Sequence, residues 1–207
     1  SSNIEAIIEG VLEPTNERLS SCYNELERIT GIITELEKLR QIEGENMILH
    51  IGHVDIYELA KEVKLIFENE MSKKNIRCDI IGEHIDVCVD KDKMSQVLNN
   101  LISNAVKYSK DGGSVRIYTL HGSDGIKKNS KEDSLQLVIE DTGIGISEED
   151  IPRIMERGFT GYNGRLDKKS SGIGLYLCRK AADRLGFVIT FDASYKNGTR
   201  VVIDMTQ

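Results

Sequence analysis

The chain has 207 residues, a length that suits one substantial domain and an appendage. Of these residues, 39% are hydrophobic and 29% are charged, as is ordinary for a globular protein. Its net charge of -7 argues against nucleic-acid binding, because the chain lacks the basic surface that such binding requires. No apolar run approaches the length of a membrane span, and the four scattered cysteines form no Cys-x-x-Cys pair. Buried free thiols are therefore expected, in place of a zinc site or a disulfide framework.

Residues 1–45 are predicted to form a helical hairpin. The first helix has apolar residues at helical spacing, namely Ile4, Ile7, Ile8 and Val11. Gly10 and Pro14 interrupt this pattern, and Thr15 is a suitable cap for a second helix. Because the helical pattern is already under way at Ser1, we expect the chain to be a fragment of a longer protein.

The second helix of the hairpin carries an apolar seam with steps of three and four residues. Its members are Leu19, Cys22, Leu26, Ile29, Ile33 and Leu36. This heptad spacing is typical of a coiled coil or helical bundle, although a helix packed only on its own domain is the simpler alternative. Because two helices alone do not bury such a seam, the pattern predicts a homodimer through the hairpin.

The body of the chain, residues 46–207, is predicted to mix helices and strands. Helical periodicity covers Val54 to about Ser72, Asp92–Ser109 and the segment after Gly174, and Ser147 begins an acidic stretch that resembles a helix start. Strand patterns cover Ile76–Ile81, Ile85–Val89, Val115–Leu120, Leu135–Ile139, Phe187–Asp192 and Thr199–Asp204. Residues 121–134 form a polar loop, and Asn197-Gly198 is a hairpin-turn signal between the last two strands.

The helix predicted at Asp92–Ser109 carries a polar stripe beside its apolar face. Asn100, Asn104 and Lys107 recur at i, i+4 and i+7 and therefore share one side of the helix. Two amides and an ammonium group suit a magnesium ion with attached phosphates. A solvated polar face is the commoner explanation of such a stripe. Asparagine, however, is a poor former of helix interiors, so two of them on one stripe favour a site.

Asp141 follows the apolar strand Leu135–Ile139 and opens a turn with the sequence Asp-Thr-Gly-Ile-Gly. Gly143 and Gly145 allow the backbone of this turn to approach a ligand closely. A carboxylate fixed there accepts hydrogen bonds from amino groups, such as the exocyclic amine of adenine. Ordinary turn chemistry after a strand remains the alternative.

A second glycine cluster, residues 157–174, leads directly into an apolar helical pattern. It contains glycines at 158, 161, 164, 172 and 174, with basic residues at 157, 165, 168 and 169. A glycine-rich loop before a helix is a site for phosphate, because the free amides and the helix dipole point at the anion. A surface loop without a ligand is the alternative, which a short motif alone does not exclude.

Taken together, these stretches resemble the nucleotide-binding boxes of bacterial sensor histidine kinases, in the superfamily of gyrase, Hsp90, histidine kinases and MutL. QVLNNLISNAVKYS at 96–109 resembles the N box, DTGIGI at 141–146 the first glycine box and SSGIGLYL at 170–177 the second. Gly158-Phe159 matches the F box between them. Residues 1–45 resemble the end of helix one and all of helix two of the dimerisation and histidine-phosphotransfer hairpin, so the resemblance covers essentially the whole chain.

The resemblance implies the fold and the function. The fold class is α+β: a two-layer α/β sandwich, with a mixed sheet and helices on one face (the Bergerat-type ATP-binding fold), preceded by the hairpin segment. The implied function is transfer of the ATP γ-phosphoryl group, with Mg²⁺, to a histidine, for relay to the receiver domain of a response regulator. His50, His53, His84 and His121 match no phosphoacceptor motif, and the alignment places that histidine upstream of Ser1. The parent would be a membrane sensor protein with this domain in the cytoplasm, attached only through N-terminal spans.

The resemblance also implies roles for individual residues. Asp141 matches the acid that binds the adenine amine, and Gly143 and Gly145 match the glycines that shape its turn. Asn104 matches the magnesium ligand, and Asn100 is its implied helper one turn earlier. In the ATPases of the superfamily, a glutamate at the place of Asn100 activates water, and an amide has no basic site for that task. Asn100 therefore favours a kinase over the alternative of an ATP-driven clamp or ATPase.

Further positions follow from the same boxes. Lys107 matches the phosphate-side lysine, and Tyr108 matches the aromatic side chain against the nucleotide. The remaining nucleotide contacts implied by the boxes are Ile146, Phe159, Ser171, Gly172, Ile173, Gly174 and Leu175. Residues 147–171 correspond to the lid, whose basic residues Arg165, Lys168 and Lys169 are usually solvated in such a loop. A degenerate kinase that serves only as a binding module is a third hypothesis, which the intact boxes argue against.

Overall fold

The computed structural model describes residues 2–43, 48–121, 134–161 and 171–206. The chain divides into two compact units, Ser1–Gly44 and Glu45–Gln207. Among the described residues, no helix has both the length and the apolar character that crossing a bilayer requires.

The first unit consists of α1 (Ser2–Ile8) and α2 (Asn16–Glu43). The predicted cap of the second helix is confirmed, because the Arg18 amide donates to Thr15 Oγ1 at 3.4 Å. Four side chains of the heptad seam are exposed, namely Leu19, Leu26, Ile29 and Ile33. The described residues therefore leave the apolar stripe of α2 uncovered.

The second unit contains seven strands and four helices in its described residues. In chain order these are β1 (Ile51–Asp55), α3 (Ile56–Ile66), α4 (Glu68–Lys73), β2 (Arg77–Ile81), β3 (Asp86–Asp90), α5 (Lys91–Tyr108), β4 (Ser114–His121), β5 (Leu135–Asp141), α6 (Gly174–Leu185), β6 (Val188–Phe191) and β7 (Arg200–Asp204).

Five strands form one mixed sheet in the order β2-β4-β5-β7-β6. β2 and β4 are parallel, and the remaining neighbours are antiparallel. Apolar side chains of the sheet, including Ile117, Ile139 and Ile203, join those of α3, α5 and α6 in one core. The mixed sheet covered by helices confirms the predicted fold class. β5 is central and almost completely buried on both faces, which explains its run of four apolar residues between Leu135 and Ile139, interrupted only by Gln136.

A small second sheet corrects the prediction of a helix from Val54. β1 and β3 pair as antiparallel strands, with Val54 opposite Val87. The helix begins only after Asp55, whose carboxylate caps α3 by accepting the Glu58 amide at 3.1 Å. The predicted helix is also divided at Phe67, where α3 ends and α4 follows.

The other two predicted features that differ are a helix start and a turn. Residues 148–155 form successive turns and no helix after Ser147, because Pro152 has no amide to continue a helical ladder. The pairing of β6 with β7 ends at Phe191 and Val201, so the connection is longer than a two-residue turn at Asn197-Gly198. Of the predicted polar loop at 121–134, residues 122–133 lie outside the described part of the chain.

Candidate functional site

Asp141 is the last residue of β5, and the backbone around it fixes its carboxylate. Oδ1 accepts the amide of Gly143 at 2.8 Å and the amide of Thr199 at 3.2 Å. The Asp141 amide donates in return to the Thr199 carbonyl at 2.9 Å. The residue is only 6% exposed, and this burial outweighs the hydrogen bonds from Gly143 and Thr199 and raises the pKa of the carboxyl group above its ordinary value.

The turn after Asp141 packs closely against the end of α5. A Cβ atom on Gly143 would lie 2.4 Å from the Tyr108 carbonyl oxygen, so only glycine fits there. The Ile144 amide donates to the same carbonyl at 3.2 Å. The structure therefore brings the predicted N box and the first predicted glycine box together at Tyr108.

The segment before β7 supports Asp141 from the other side. A Cβ atom on Gly198 would lie 2.0 Å from the Asp141 carbonyl oxygen, and one on Gly145 would lie 3.2 Å from the Gly198 carbonyl oxygen. In the sequence, Gly198 is only a turn signal, and Thr199 is only the first residue of a predicted strand, with no predicted role in the site. The signal for Gly198 was the Asn-Gly pair itself, but its role depends on a contact across 57 residues of sequence, from Asp141 to Gly198.

The polar stripe of α5 reaches the start of α6. The Asn100 side-chain oxygen lies 3.4 Å from the position of a Cβ atom on Gly174. The Cys178 thiol of α6, whose pKa burial raises to about 12, donates to the Val97 carbonyl of α5 at 3.8 Å. The N box and the second glycine box therefore meet at Asn100, whose side chain lies between two helices.

Asn104 and Lys107 occupy the next turns of the same stripe. Asn104 is half-buried, and its side-chain amide makes no hydrogen bond within the described part of the chain. The Lys107 Nζ atom lies 5.3 Å from the centroid of the Tyr108 ring. The side-chain oxygen of Asn104 is therefore available to a ligand, whereas the side-chain oxygen of Asn100 lies against Gly174.

The N-terminus of α6 has the character of an anion site. No side chain caps the helix in the described residues, and its first turn contains no acidic residue. The Ser171 hydroxyl accepts the Ile173 amide at 3.3 Å, and the Gly172 carbonyl accepts the Gly158 amide at 3.0 Å. Amides of the first turn of a helix attract anions when no side chain satisfies them.

The other predicted nucleotide contacts are placed around this loop. Phe159 is half-buried beneath the Arg153 guanidinium, which lies 4.7 Å from its ring centroid. Ile146 is half-buried, and Leu175 packs against the core. Residues 162–170, and with them three basic residues of the predicted lid, lie outside the described residues; these are Arg165, Lys168 and Lys169.

Lys74 is a supporting residue that the sequence analysis missed. Its Nζ atom donates to three carbonyls at the C-terminal end of α5: Val106 at 3.0 Å, Lys107 at 2.7 Å and Ser109 at 3.3 Å. An ammonium group in this position satisfies orphan carbonyls and complements the helix dipole. It thereby fixes the segment that includes Lys107 and Tyr108. Nothing in the local sequence of Lys74 indicates this role.

The residues fit a magnesium ion only in company with a phosphate ligand. The described residues contain no cluster of three or more His, Cys, Asp or Glu that would hold a metal by itself. Mg²⁺ keeps several waters and binds through one or two protein oxygens plus phosphates, and the Asn104 amide oxygen is such a donor.

Comparisons with known proteins agree with this geometry. A family model described as "Histidine kinase-, DNA gyrase B-, and HSP90-like ATPase" matches residues 89–207. The chain is 29% identical over 193 residues to the sensor histidine kinase GraS of Staphylococcus haemolyticus, covering 92% of the chain and 53% of GraS. It is 26% identical to the sensor histidine kinase WalK of Bacillus subtilis, covering 99% of the chain and 33% of WalK. The chain thus spans about half or less of these relatives.

Two solved structures show the same fold over nearly the whole chain. The histidine kinase AdeS of Acinetobacter baumannii superposes with a TM-score of 0.74 at 23% identity, covering 99% of this chain and 91% of AdeS. The histidine kinase ThkA, in a complex with the response regulator protein TrrA, gives a TM-score of 0.71 at 23% identity, covering 97% of this chain and 54% of that one.

Proposed function

Because the chain belongs to the family of histidine kinase-, DNA gyrase B- and HSP90-like ATPases, we propose that it is the ATP-binding catalytic part of a sensor histidine kinase. The observation that carries the proposal is the buried carboxylate of Asp141, held by two backbone amides beside the C-terminal end of α5. The similarity of the chain to GraS and WalK, both sensor histidine kinases, supports the kinase class within the family.

In this proposal Asp141 recognises the adenine base. Because Oδ1 already accepts the amides of Gly143 and Thr199, the carboxylate has a fixed orientation before a nucleotide arrives. A prealigned acceptor favours a purine that carries an exocyclic amine. Tyr108, Ile146 and Phe159 are the side chains we assign to contact with the base and ribose.

The phosphates are assigned to the N-terminus of α6. The amides of Gly174 and Leu175 would bind them, and the Ile173 amide would exchange its bond to the Ser171 hydroxyl for one to phosphate. Gly172 and Ser171 would shape the approach, and Lys107 would add a positive charge. Asn104 would hold Mg²⁺ together with phosphate oxygens. Bound Mg²⁺ neutralises the charge that develops on the transferred phosphoryl group, which is the chemistry the ion supplies.

The polar stripe of α5 favours slow transfer of the phosphoryl group to water, and the similarity to sensor histidine kinases supports a histidine as the acceptor. Asn100 has no basic site, and its side chain lies against Gly174 of α6, so we assign it a supporting role beside Asn104. Without a basic group at the place of Asn100, the residues named here contribute binding, alignment and charge neutralisation of an in-line transfer.

The partners belong to the same proposal. We infer that residues 1–45 are part of a dimerisation and histidine-phosphotransfer hairpin, since the heptad seam of α2 is exposed. A homodimer through this seam and a response regulator receiver domain are the partners we propose; the ThkA structure contains a response regulator. A cytoplasmic position in a membrane sensor remains a prediction from the resemblance.

The direct test of the site is the substitution Asp141→Asn. Loss of a charged acceptor for the adenine amine should weaken binding of Mg-ATP by roughly 10- to 100-fold, since a hydrogen bond to a charged group contributes about 1.5–3 kcal/mol. Asp79→Asn is the matched control, because that carboxylate pairs with Arg77 on the edge strand β2. Equal affinities in the wild type and Asp141→Asn, measured by calorimetry, would refute the adenine assignment.

A further inference from the structure

Glu140, the residue before Asp141, is buried on the opposite face of the sheet. Successive residues of a strand point to opposite faces, and Ile139 belongs to the core beneath the helices. Glu140 therefore points away from the helices, yet it is only 2% exposed. A carboxylate at this depth requires charged partners, because removing it from water is costly.

The partners of Glu140 come from the two neighbouring strands. Arg116 Nη2 of β4 donates to Glu140 Oε2 at 2.5 Å, and Arg200 Nε of β7 donates to Glu140 Oε1 at 2.5 Å. The Tyr118 hydroxyl donates to Oε1 at 2.7 Å. Arg116 and Arg200 are also the register partners of Glu140 in their strands. One carboxylate thus joins three strands at a single level.

Arg200 is fixed in turn by the connection between β6 and β7. Its Nη1 atom donates to Asp192 Oδ2 at 2.9 Å, and its guanidinium lies 4.3 Å from the centroid of the Tyr195 ring. Burial alone would raise the pKa of Glu140, but the Tyr118 and Arg200 hydrogen bonds and the guanidinium charges outweigh it and lower that pKa. The network is therefore charged at neutral pH.

This network lies at the same level as the groups that hold Asp141. The amide of Thr199, next to Arg200, donates to Asp141 Oδ1 at 3.2 Å, and the Thr199 carbonyl accepts the Asp141 amide at 2.9 Å. The spacing between the end of β5 and the start of β7 sets the orientation of the Asp141 carboxylate on one face. On the other face the Glu140–Arg200 pair fixes the same spacing.

We propose that Glu140 is a positioning residue for adenine specificity, which acts through Arg200 and Thr199 on the orientation of the Asp141 carboxylate. The inference rests on the proposed adenine role of Asp141. Glu140 faces away from the site, so it has no direct effect on ribose or phosphates. Its contribution is therefore confined to nucleotides that carry the exocyclic amine.

The test compares two ligands that differ only in that amine, ATP and purine riboside triphosphate, on the full chain with Mg²⁺. Glu140→Gln keeps the side-chain volume and removes the charge that holds both arginines. We expect it to weaken ATP binding roughly tenfold and to change purine riboside triphosphate binding less than about twofold. Tyr118→Phe removes one hydrogen bond to Glu140 and keeps every charge, so we expect a loss of about threefold for ATP alone.

The matched control is Glu62→Gln, the same substitution at an exposed carboxylate that pairs with Lys91 at 2.9 Å. It should leave both affinities unchanged. Circular dichroism at the assay temperature checks that each variant is folded. If Glu140→Gln is unfolded, the result for Tyr118→Phe decides the outcome.

Two results would overturn the proposal, and they are distinguishable. If the folded variants lose affinity equally for both nucleotides, or lose none, Glu140 only stabilises the sheet, and the role of Asp141 stands. If the wild type itself binds ATP and purine riboside triphosphate equally, the adenine role of Asp141 fails, and the inference about Glu140 fails with it.

Discussion

Gly198→Ala should disrupt the candidate site by direct contact with the backbone of Asp141. The new Cβ atom would lie 2.0 Å from the Asp141 carbonyl oxygen and 2.8 Å from the Gly143 nitrogen. An ordinary contact begins at 3.4 Å, so the two backbones must separate by about 1.4 Å. That shift would break both hydrogen bonds between Asp141 and Thr199, now 2.9 and 3.2 Å long.

The expected loss follows from these contacts. Two broken hydrogen bonds at about 1 kcal/mol each, with at least about 1 kcal/mol for overpacking, lower the free energy of unfolding by roughly 3 kcal/mol. Urea unfolding measures this loss, and calorimetric titration should show Mg-ATP affinity reduced at least about tenfold, since Asp141 moves with the turn.

Gly186→Ala is the matched control for backbone strain. Gly186 has a φ of 76° and nothing within 4 Å of its Cβ position, so alanine there adds strain without a clash. We expect it to cost about 1 kcal/mol and to leave ATP affinity unchanged. If Gly198→Ala unfolds within about 0.5 kcal/mol of Gly186→Ala, the close approach to Asp141 is absent and the reasoning is wrong.

Four further predictions concern the support of the site, its pH dependence and its thiols. Lys74→Met removes three hydrogen bonds from the end of α5 and should lower the free energy of unfolding by about 2 kcal/mol in urea. Asp141→Asn should stabilise the nucleotide-free chain at pH 7, because burial raises the pKa of Asp141, and this gain should vanish as the pH falls towards the ordinary value of 3.8. Glu140→Gln should instead destabilise the chain at pH 7. The pKa of Glu140 is lowered, so the stability that its carboxylate contributes is present above pH 4.5 and is lost as the pH falls through the folded-state pKa. Urea unfolding of Glu140→Gln and the wild type at pH 7 and pH 4 would show this loss. Iodoacetamide should modify exposed Cys88 in the native chain and buried Cys178 only after unfolding, as mass spectrometry of the labelled peptides would show.

The sequence predicted those elements whose periodicity is long or whose ends carry a strong signal. α5 has five turns of apolar spacing, and four of the first five residues of β5 are apolar, so both are evident in the sequence. β1 was missed because only Val54 of its five residues is buried, and Gly52 and His53 interrupt any strand pattern. β1 also runs directly into α3, and only the cap at Asp55 separates the strand from the helix.

The candidate site divides in the same way. The turn chemistry of Asp141 and the amide stripe of α5 are local patterns, and the sequence contains them complete. Thr199 and Lys74 act through contacts with residues distant in the chain, and neither has a distinctive neighbourhood. Glu140 was equally hidden, since a glutamate at the end of a strand is usually solvated, and its two arginines come from other strands.

The central claim is that this site gives the ATP γ-phosphoryl group to a histidine. The most direct measurement follows γ-labelled ATP in the chain expressed with the upstream helix that the resemblance predicts to contain the acceptor. We predict label on the protein in an acid-labile, base-stable form, absent from Asp141→Asn, with little free phosphate. Label that appears only as free phosphate over many turnovers would contradict the account and support an ATP-driven clamp.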